Sequence, residues 1–319
     1  MVSPTEALST LKEWQTSVTE HFTWFYIVAN PAFTFFTLWL AFRYGDIKLG
    51  KPDEKPEFSD LTYFAMLFSA GIAVGLFFYG VAEPLSHRSS NWFASLQYRG
   101  KDEVDQWAML ITMYHYGFAG WSPYLIVAIA AGLASYRYDL PMTVRSCLYM
   151  LLGPYTWGWI GDIVDGFSIV FTVAGICTSL GLGAMQIITG SGRLGWLDRD
   201  SLSDDELTNK QVTVIWCITL VATISVVTGL DVGVKFLSQL GFSLGMVLLI
   251  ACTAMEHTSF IYNLMVQTIG YYFQFAIFQV PFWTDAFGQL QDGEGRAQDG
   301  NSAHPSWMDW WTVVCSQYG

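Results

Sequence analysis

Six long apolar runs constrain this chain more than any other feature of its sequence. A helix that crosses a bilayer needs roughly 20 mostly apolar residues. The runs that come close to or exceed this length are residues 22–43, 61–82, 107–136, 162–189, 212–230 and 236–256. Only 13% of the residues are charged, against about 25% in a typical soluble domain. The sequence therefore predicts an all-α polytopic membrane protein that is embedded in a lipid bilayer.

The net charge argues against nucleic-acid binding, and the cysteine spacing argues against disulfides and a zinc site. The net charge of −12 argues against nucleic acid. The five cysteines are scattered, with neither a disulfide framework nor a zinc-ligand spacing. We therefore predict no metal and no cofactor, apart from a coupling ion, Na⁺ or H⁺, if the protein is a carrier. The polar first twenty residues do not resemble a signal peptide.

The segments between and after the runs are more ambiguous. Residues 140–153 follow a proline and are too short to span, so they predict a short interfacial helix. Residues 260–284 are rich in aromatic residues and carry glutamines at near-helical spacing, which indicates an amphipathic interfacial helix, with a seventh span as the alternative. Hydrophilic loops are expected at residues 45–60, 87–106, 190–210 and 289–306.

The second apolar run contains glycines in its interior, where they reduce the stability of a helix. Gly71 and Gly75 are four residues apart and share one helix face, and glycine costs about 1 kcal/mol in a helix interior. One interpretation is a small-residue face for helix packing. The other is a broken helix that frees carbonyls for a cation.

Glu83 and Pro84 close this run. A buried carboxylate would be a functional candidate. The position at a predicted helix end, near His87, instead favours an exposed and solvated side chain.

The third run contains the aromatic segment HYGFAGWSPY. On a continuous helix, Tyr116, Trp121 and Tyr124 fall on one broad face, and His115 points elsewhere. Such a face can be an ordinary core or an interfacial aromatic belt. It can also form a cage that holds a quaternary ammonium ion through the ring faces.

The fourth run carries hydroxyl groups on one face. Thr172 and Ser179 are seven residues apart. Such hydroxyls usually bond the carbonyl four residues earlier, and sodium coordination is the alternative.

Several collinear segments resemble one family. FSAGIAVGLFFYGVAEPLSH is similar to the glycine-rich helix of the betaine/choline/carnitine transporter family, with its E-P-L ending. The resemblance continues in IKLGKPDEKPEFS, LPMTVRSCLYMLLG, GDIVDGFSIVFTVAGICTSLGLGAMQIITG and TGLDVGVKFLS. The matches cover about residues 20–240, so the chain is identified as a member of this family.

The resemblance implies a fold similar to that of the LeuT-type transporters, with two inverted five-helix repeats after two peripheral helices. It divides the chain into a tail with one peripheral helix and a cytoplasmic loop (1–60), a first five-helix repeat (61–256), and an interfacial helix with the start of a next helix (257–319). WMDWWTV resembles the entry to the family's tryptophan-rich helix. We therefore expect a truncated form that lacks the second repeat.

The resemblance also implies site residues by position. The implied substrate site comprises Gly71, Ala73, Gly75, Tyr116, Trp121 and Tyr124. The implied ion site comprises Ser69, Ile72, Thr172 and Ser179.

Three positions depart from the family pattern. Ala73 replaces a central glycine, and Tyr116 stands where sodium-coupled betaine carriers commonly have tryptophan. Ile176 stands where a threonine commonly offers an oxygen to sodium, which an alkyl group cannot do. The departure at Ile176 argues against sodium coupling at that site and favours proton coupling or exchange.

The implied function is secondary transport of quaternary ammonium solutes by alternating access. A multi-pass protein of the plasma membrane is expected, with a homo-trimer as a candidate assembly. The alternative is a non-transporting half-repeat that binds partner subunits or is an inactive isoform. Asp139 and Asp162 faintly resemble a membrane aspartyl protease pair, but Trp159 occupies a position that needs glycine. We therefore predict no enzyme activity.

Overall fold

The structure is a computed structural model. It describes residues 4–50, 53–71, 73–89, 101–199, 201–278 and 280–282, and these residues contain helices and connections but no strand. Their α-helices are α1 (Pro4–Tyr44), α2 (Asp60–Gly71), α3 (Ala73–Ser89), α4 (Lys101–Tyr116), α5 (Phe118–Gly132), α6 (Val144–Cys147), α7 (Tyr149–Leu152), α8 (Trp159–Arg193), α9 (Asp204–Val227), α10 (Lys235–Met255) and α11 (Thr258–Tyr271). The all-α prediction is confirmed.

The six predicted runs correspond to helices that are long and apolar enough to cross a membrane. Five are single candidate spans by length and composition: His21–Tyr44, Glu103–Arg137, Trp159–Arg193, Asp204–Val227 and Leu230–Met255. The sixth is a bent pair, Asp60–Ala70 with Gly75–Arg88. The protein is thus a multi-pass membrane protein.

Several helices, among them α1, α4, α8 and α9, begin earlier than their apolar runs. Residues 204–210 were expected in a loop, yet α9 starts at Asp204. The Ser203 hydroxyl accepts the Glu206 backbone N–H at 3.4 Å, and the Glu206 carboxylate accepts the Ser203 backbone N–H at 3.0 Å. This capping box and the acidic first turn stabilise the helix start without apolar residues.

The described chain forms two compact units, and the boundary between them falls within α3. The first unit comprises residues 1–52, 81–142 and 262–319, and the second comprises residues 53–80 and 143–261. The prediction of a tail, a first repeat and a further segment remains a prediction.

The first unit is built around the third span. Its buried core comprises Ile27, Trp107, Leu110, Ile111, Tyr114, Ala119, Tyr272, Ala276 and Val280. The Gln106 amide donates to the Thr268 hydroxyl at 3.2 Å, and the Thr34 hydroxyl donates to Ser122 at 2.9 Å. α11 and the described residues after it therefore pack their buried face against protein. They are not among the candidate spans of the described residues, and the interfacial helix predicted for residues 260–284 remains a prediction.

The second unit packs α2 against α10. The Ser69 hydroxyl donates to the Ser238 carbonyl at 3.1 Å, and the Gln239 amide donates to the Thr62 hydroxyl at 2.9 Å. A Cβ at Gly245 would lie 2.8 Å from the Phe77 ring, so this glycine permits the close approach.

The predicted short helix at 140–153 consists of two single turns, α6 and α7. Arg145, in α6, bonds Asp165 at 2.5 Å and Asp162 at 3.0 Å, both in α8. The hydrogen bond with Asp165 is the largest cause that raises the pKa of Arg145 above its ordinary value. The pairing attaches this connection to the start of α8.

Candidate substrate and ion sites

The glycine-rich run is divided into two helices. α2 ends at Gly71 and α3 begins at Ala73, and the axes of the two parts differ by 60°. A Cβ at Gly75 would meet no atom of the described residues within 4 Å. The open space at Gly75 argues against a tight helix-packing face. The bend between the two parts supports the interpretation as a broken helix. Ile72 lies outside the described residues.

The aromatic run also contains a break. α4 ends at Tyr116, α5 begins at Phe118, and Gly117 between them has the non-helical angles φ −90° and ψ −148°. The Tyr272 hydroxyl accepts the Phe118 N–H at 2.9 Å. A Cβ at Gly117 would lie 2.7 Å from the ring carbon that bears this hydroxyl. The prediction of one continuous helical face is therefore wrong.

The break separates the three predicted aromatic residues. Trp121 and Tyr124 remain together on α5, with ring centroids 5.8 Å apart and planes inclined by 50°. Trp121 is partly exposed and Tyr124 is 41% exposed. Tyr116, the last residue of α4, lies on the other side of the break from these two rings. The accessible ring pair offers the faces that attract an organic cation.

On the hydroxyl face of α8, Thr172 makes the usual hydrogen bond of a helical hydroxyl to the carbonyl four residues earlier. Its hydroxyl donates to the Ser168 carbonyl at 2.7 Å. Ser179 and Ile176 are exposed on the same helix. The oxygen of Thr172 keeps a lone pair that a cation can use, so its predicted role in ion binding remains a prediction.

A buried cluster in the first unit differs most from the sequence-based expectation. Glu83 is 2% exposed, although an exposed side chain was predicted. Pro84 lies inside α3 rather than after it, so Glu83 and His87 share one helix face at a spacing of four residues. His115, on α4, contacts the same Glu83 oxygen. This spacing was the available signal, but it did not reveal the partner on α4.

The protease-like aspartates have no such cluster around them. Asp162 is 69% exposed and pairs with Arg145. Asp139 has a positive φ of 52°, in a connection that follows the third span. Asp162 therefore has a structural role in the connection to α8.

The helices and the two interrupted runs define a class, the polytopic membrane proteins with discontinuous spans. Comparison with known families shows which family of this class the chain resembles. Residues 1–318 match the BCCT family, the betaine/carnitine/choline family transporters. The chain belongs to this family, which is a family of transporters and not of enzymes.

Curated relatives agree with this family. An uncharacterized transporter of Haemophilus influenzae is 34% identical over 98% of this chain and 43% of its own length. The high-affinity choline transport protein of Escherichia coli is 37% identical over 80% of this chain and 36% of its own length. The glycine betaine transporter OpuD of Bacillus subtilis is 34% identical over 98% of this chain and 57% of its own length. The chain thus spans between about a third and just over half of these relatives.

Proposed function

We propose that this protein acts in the transport of small quaternary ammonium solutes of the choline and glycine betaine type. The observation that carries the proposal is the family match over residues 1–318. The names of two relatives, a choline transport protein and a glycine betaine transporter, support the same class of solute.

Two features of the chain support a carrier of organic cations. The ring pair of Trp121 and Tyr124 lies on an apolar span, where a cation–π contact is worth about 2 kcal/mol when it is desolvated. The bent pair of α2 and α3 is the kind of discontinuous helix that lines substrate and ion sites in alternating-access carriers.

Coupling to protons or to solute exchange is proposed rather than coupling to sodium. Ile176 places an alkyl group where a hydroxyl would be needed to ligate Na⁺. If Na⁺ is nevertheless the coupling ion, the proposed ligands include Thr172 and Ser179, together with carbonyls around Ser69 and Ile72.

The test is uptake by the purified chain in liposomes. Radiolabelled choline and glycine betaine are offered under a sodium gradient, a pH gradient, or an internal load of unlabelled solute. We expect saturable uptake that excess unlabelled choline suppresses, with radiolabelled proline and protein-free liposomes as controls. Uptake at the protein-free level in all three conditions, from folded protein, would support the alternative of a non-transporting membrane subunit.

A further inference from the structure

We propose that Glu83, His87 and His115 form a binding site for a divalent transition metal ion of the Zn²⁺ type. Glu83 and His87 come from α3, and His115 comes from the last turn of α4. One ligand atom from each residue lies within 4.8 Å of the others. The proposal concerns a site away from the Trp121–Tyr124 pair and does not depend on the transported solute.

The distance between Glu83 and His87 fits tetrahedral coordination. Zn²⁺ binds imidazole nitrogen and carboxylate oxygen at about 2.0–2.2 Å, so two ligands of a tetrahedral ion lie about 3.3 Å apart. His87 Nε2 is 3.3 Å from Glu83 Oε1. His115 Nδ1 contacts the same oxygen more closely than two ligands of one ion can lie, so metal binding requires this imidazole to move outward.

Burial and charge favour a cation in this cluster. The three side chains are at most 2% exposed, and burying a carboxylate is costly unless it is paired. Among the described residues, the ion-pair partners of Glu83 are the two imidazoles. The adjacent Arg88 pairs with Asp105 at 2.6 Å, and both are about half exposed. A bound cation would compensate the buried negative charge, for which the described residues supply no guanidinium or ammonium partner.

The ligand types select the class of ion. Imidazole suits Zn²⁺, Cu²⁺, Ni²⁺ and Fe²⁺, whereas Mg²⁺ and Ca²⁺ prefer oxygen ligands. Two histidines and one carboxylate are also the protein ligands of several zinc sites, with a further position left for water. The ion would tie the end of α3 to α4, next to the break at Gly117.

The test uses the full chain, purified in detergent and stripped with a chelator. Equilibrium dialysis against Zn²⁺, followed by elemental analysis, should give about one ion per chain with micromolar affinity. Co²⁺ in place of Zn²⁺ should give the visible absorption of a tetrahedral site. Zn²⁺ should also raise the melting temperature of the unmodified chain, a measurement that needs no variant.

The variants locate the site. Glu83→Gln and His115→Gln keep hydrogen-bonding groups of similar size and should each weaken Zn²⁺ binding at least tenfold. His21→Gln and His257→Gln change exposed histidines and should bind like the unmodified chain. The proposal is overturned if the unmodified chain shows no saturable binding below about 100 µM Zn²⁺, a concentration roughly a hundredfold above a dissociation constant of about 1 µM. It is also overturned if Glu83→Gln and His115→Gln bind as tightly as the controls, or if the cluster binds protons but no metal.

Discussion

At the scale of single residues, the ring pair of Trp121 and Tyr124 is the most specific feature of the proposed solute site. The rings are 5.8 Å apart and inclined by 50°, so they are tilted rather than stacked. We expect an organic cation of low hydration to contact the ring faces, and this contact needs no buried carboxylate. Affinity should therefore depend on the rings rather than on an ion pair.

Replacing Trp121 tests this dependence. Trp121→Ala should weaken binding of a trimethylammonium solute by roughly tenfold or more, because a desolvated cation–π contact is worth about 2 kcal/mol. Binding is measured on purified protein by isothermal titration calorimetry with choline. Trp216→Ala, which removes a 70% exposed tryptophan on α9, is the matched control. Equal affinities in the two variants would place the solute elsewhere.

Ile176 carries a prediction about the coupling ion. Ile176→Thr restores a hydroxyl on the face that includes Thr172, so it should increase the sodium dependence of uptake in liposomes. Val173→Thr introduces the same side chain at a 54% exposed position on the same helix. A sodium curve that stays flat in Ile176→Thr, or that rises equally in both variants, would contradict the assigned ion site.

At the scale of elements, the break in the third span depends on one distant hydroxyl. Gly117 leaves the helical conformation, and the Tyr272 hydroxyl accepts the Phe118 N–H. Glycine is needed because a Cβ would overlap the tyrosine. The positions of Tyr116 and Trp121 on either side of the break therefore depend on a residue after α11.

Tyr272→Phe tests this arrangement. The variant keeps the buried ring and removes the acceptor, so it should reduce the free energy of unfolding by about 1 kcal/mol. It should also speed amide hydrogen exchange at Phe118. Tyr262→Phe, at a 54% exposed position on α11, is the control for losing a hydroxyl. The interpretation fails if the two variants show the same stability and the same exchange at Phe118.

At the scale of the whole molecule, the bent pair of α2 and α3 decides the topology. If the pair crosses the membrane, the loop 45–59 and the connection 138–158 lie on the same side, and the loop 194–203 lies on the other. If the pair re-enters on the side from which it started, the loop 45–59 shares a side with 194–203 instead. The broken-span interpretation predicts the first arrangement.

Cysteine labelling distinguishes the two arrangements. Single cysteines are introduced as Glu54→Cys, Tyr155→Cys and Asp198→Cys, all at exposed positions, in a chain without native cysteines. Glu54→Cys and Tyr155→Cys should react with an impermeant maleimide from the same side of sealed vesicles, and Asp198→Cys from the opposite side. Matching reactivity of Glu54→Cys and Asp198→Cys would indicate a re-entrant pair.

The sequence predicts the spans well because the bilayer demands length and apolarity, and both can be read locally. It predicts helix ends less well. The start of α9 depends on the Ser203–Glu206 capping box, which lies in a segment whose acidity indicated a loop. Contacts between residues far apart in the sequence are the part of the structure that the sequence predicts least. The burial of Glu83 depends on His115, 32 residues away, and the break at Gly117 depends on Tyr272. No local pattern reports such contacts.

The bond between Phe118 and Tyr272 also has a consequence for biosynthesis. The two residues are 154 positions apart, so the ribosome makes the third span long before it makes the tyrosine that completes it. Until then, the Phe118 amide lacks its final acceptor, and the aromatic segment cannot adopt its finished shape. The break at Gly117 is thus completed only after Tyr272 has been translated, which ties maturation of this segment to the arrival of a later one.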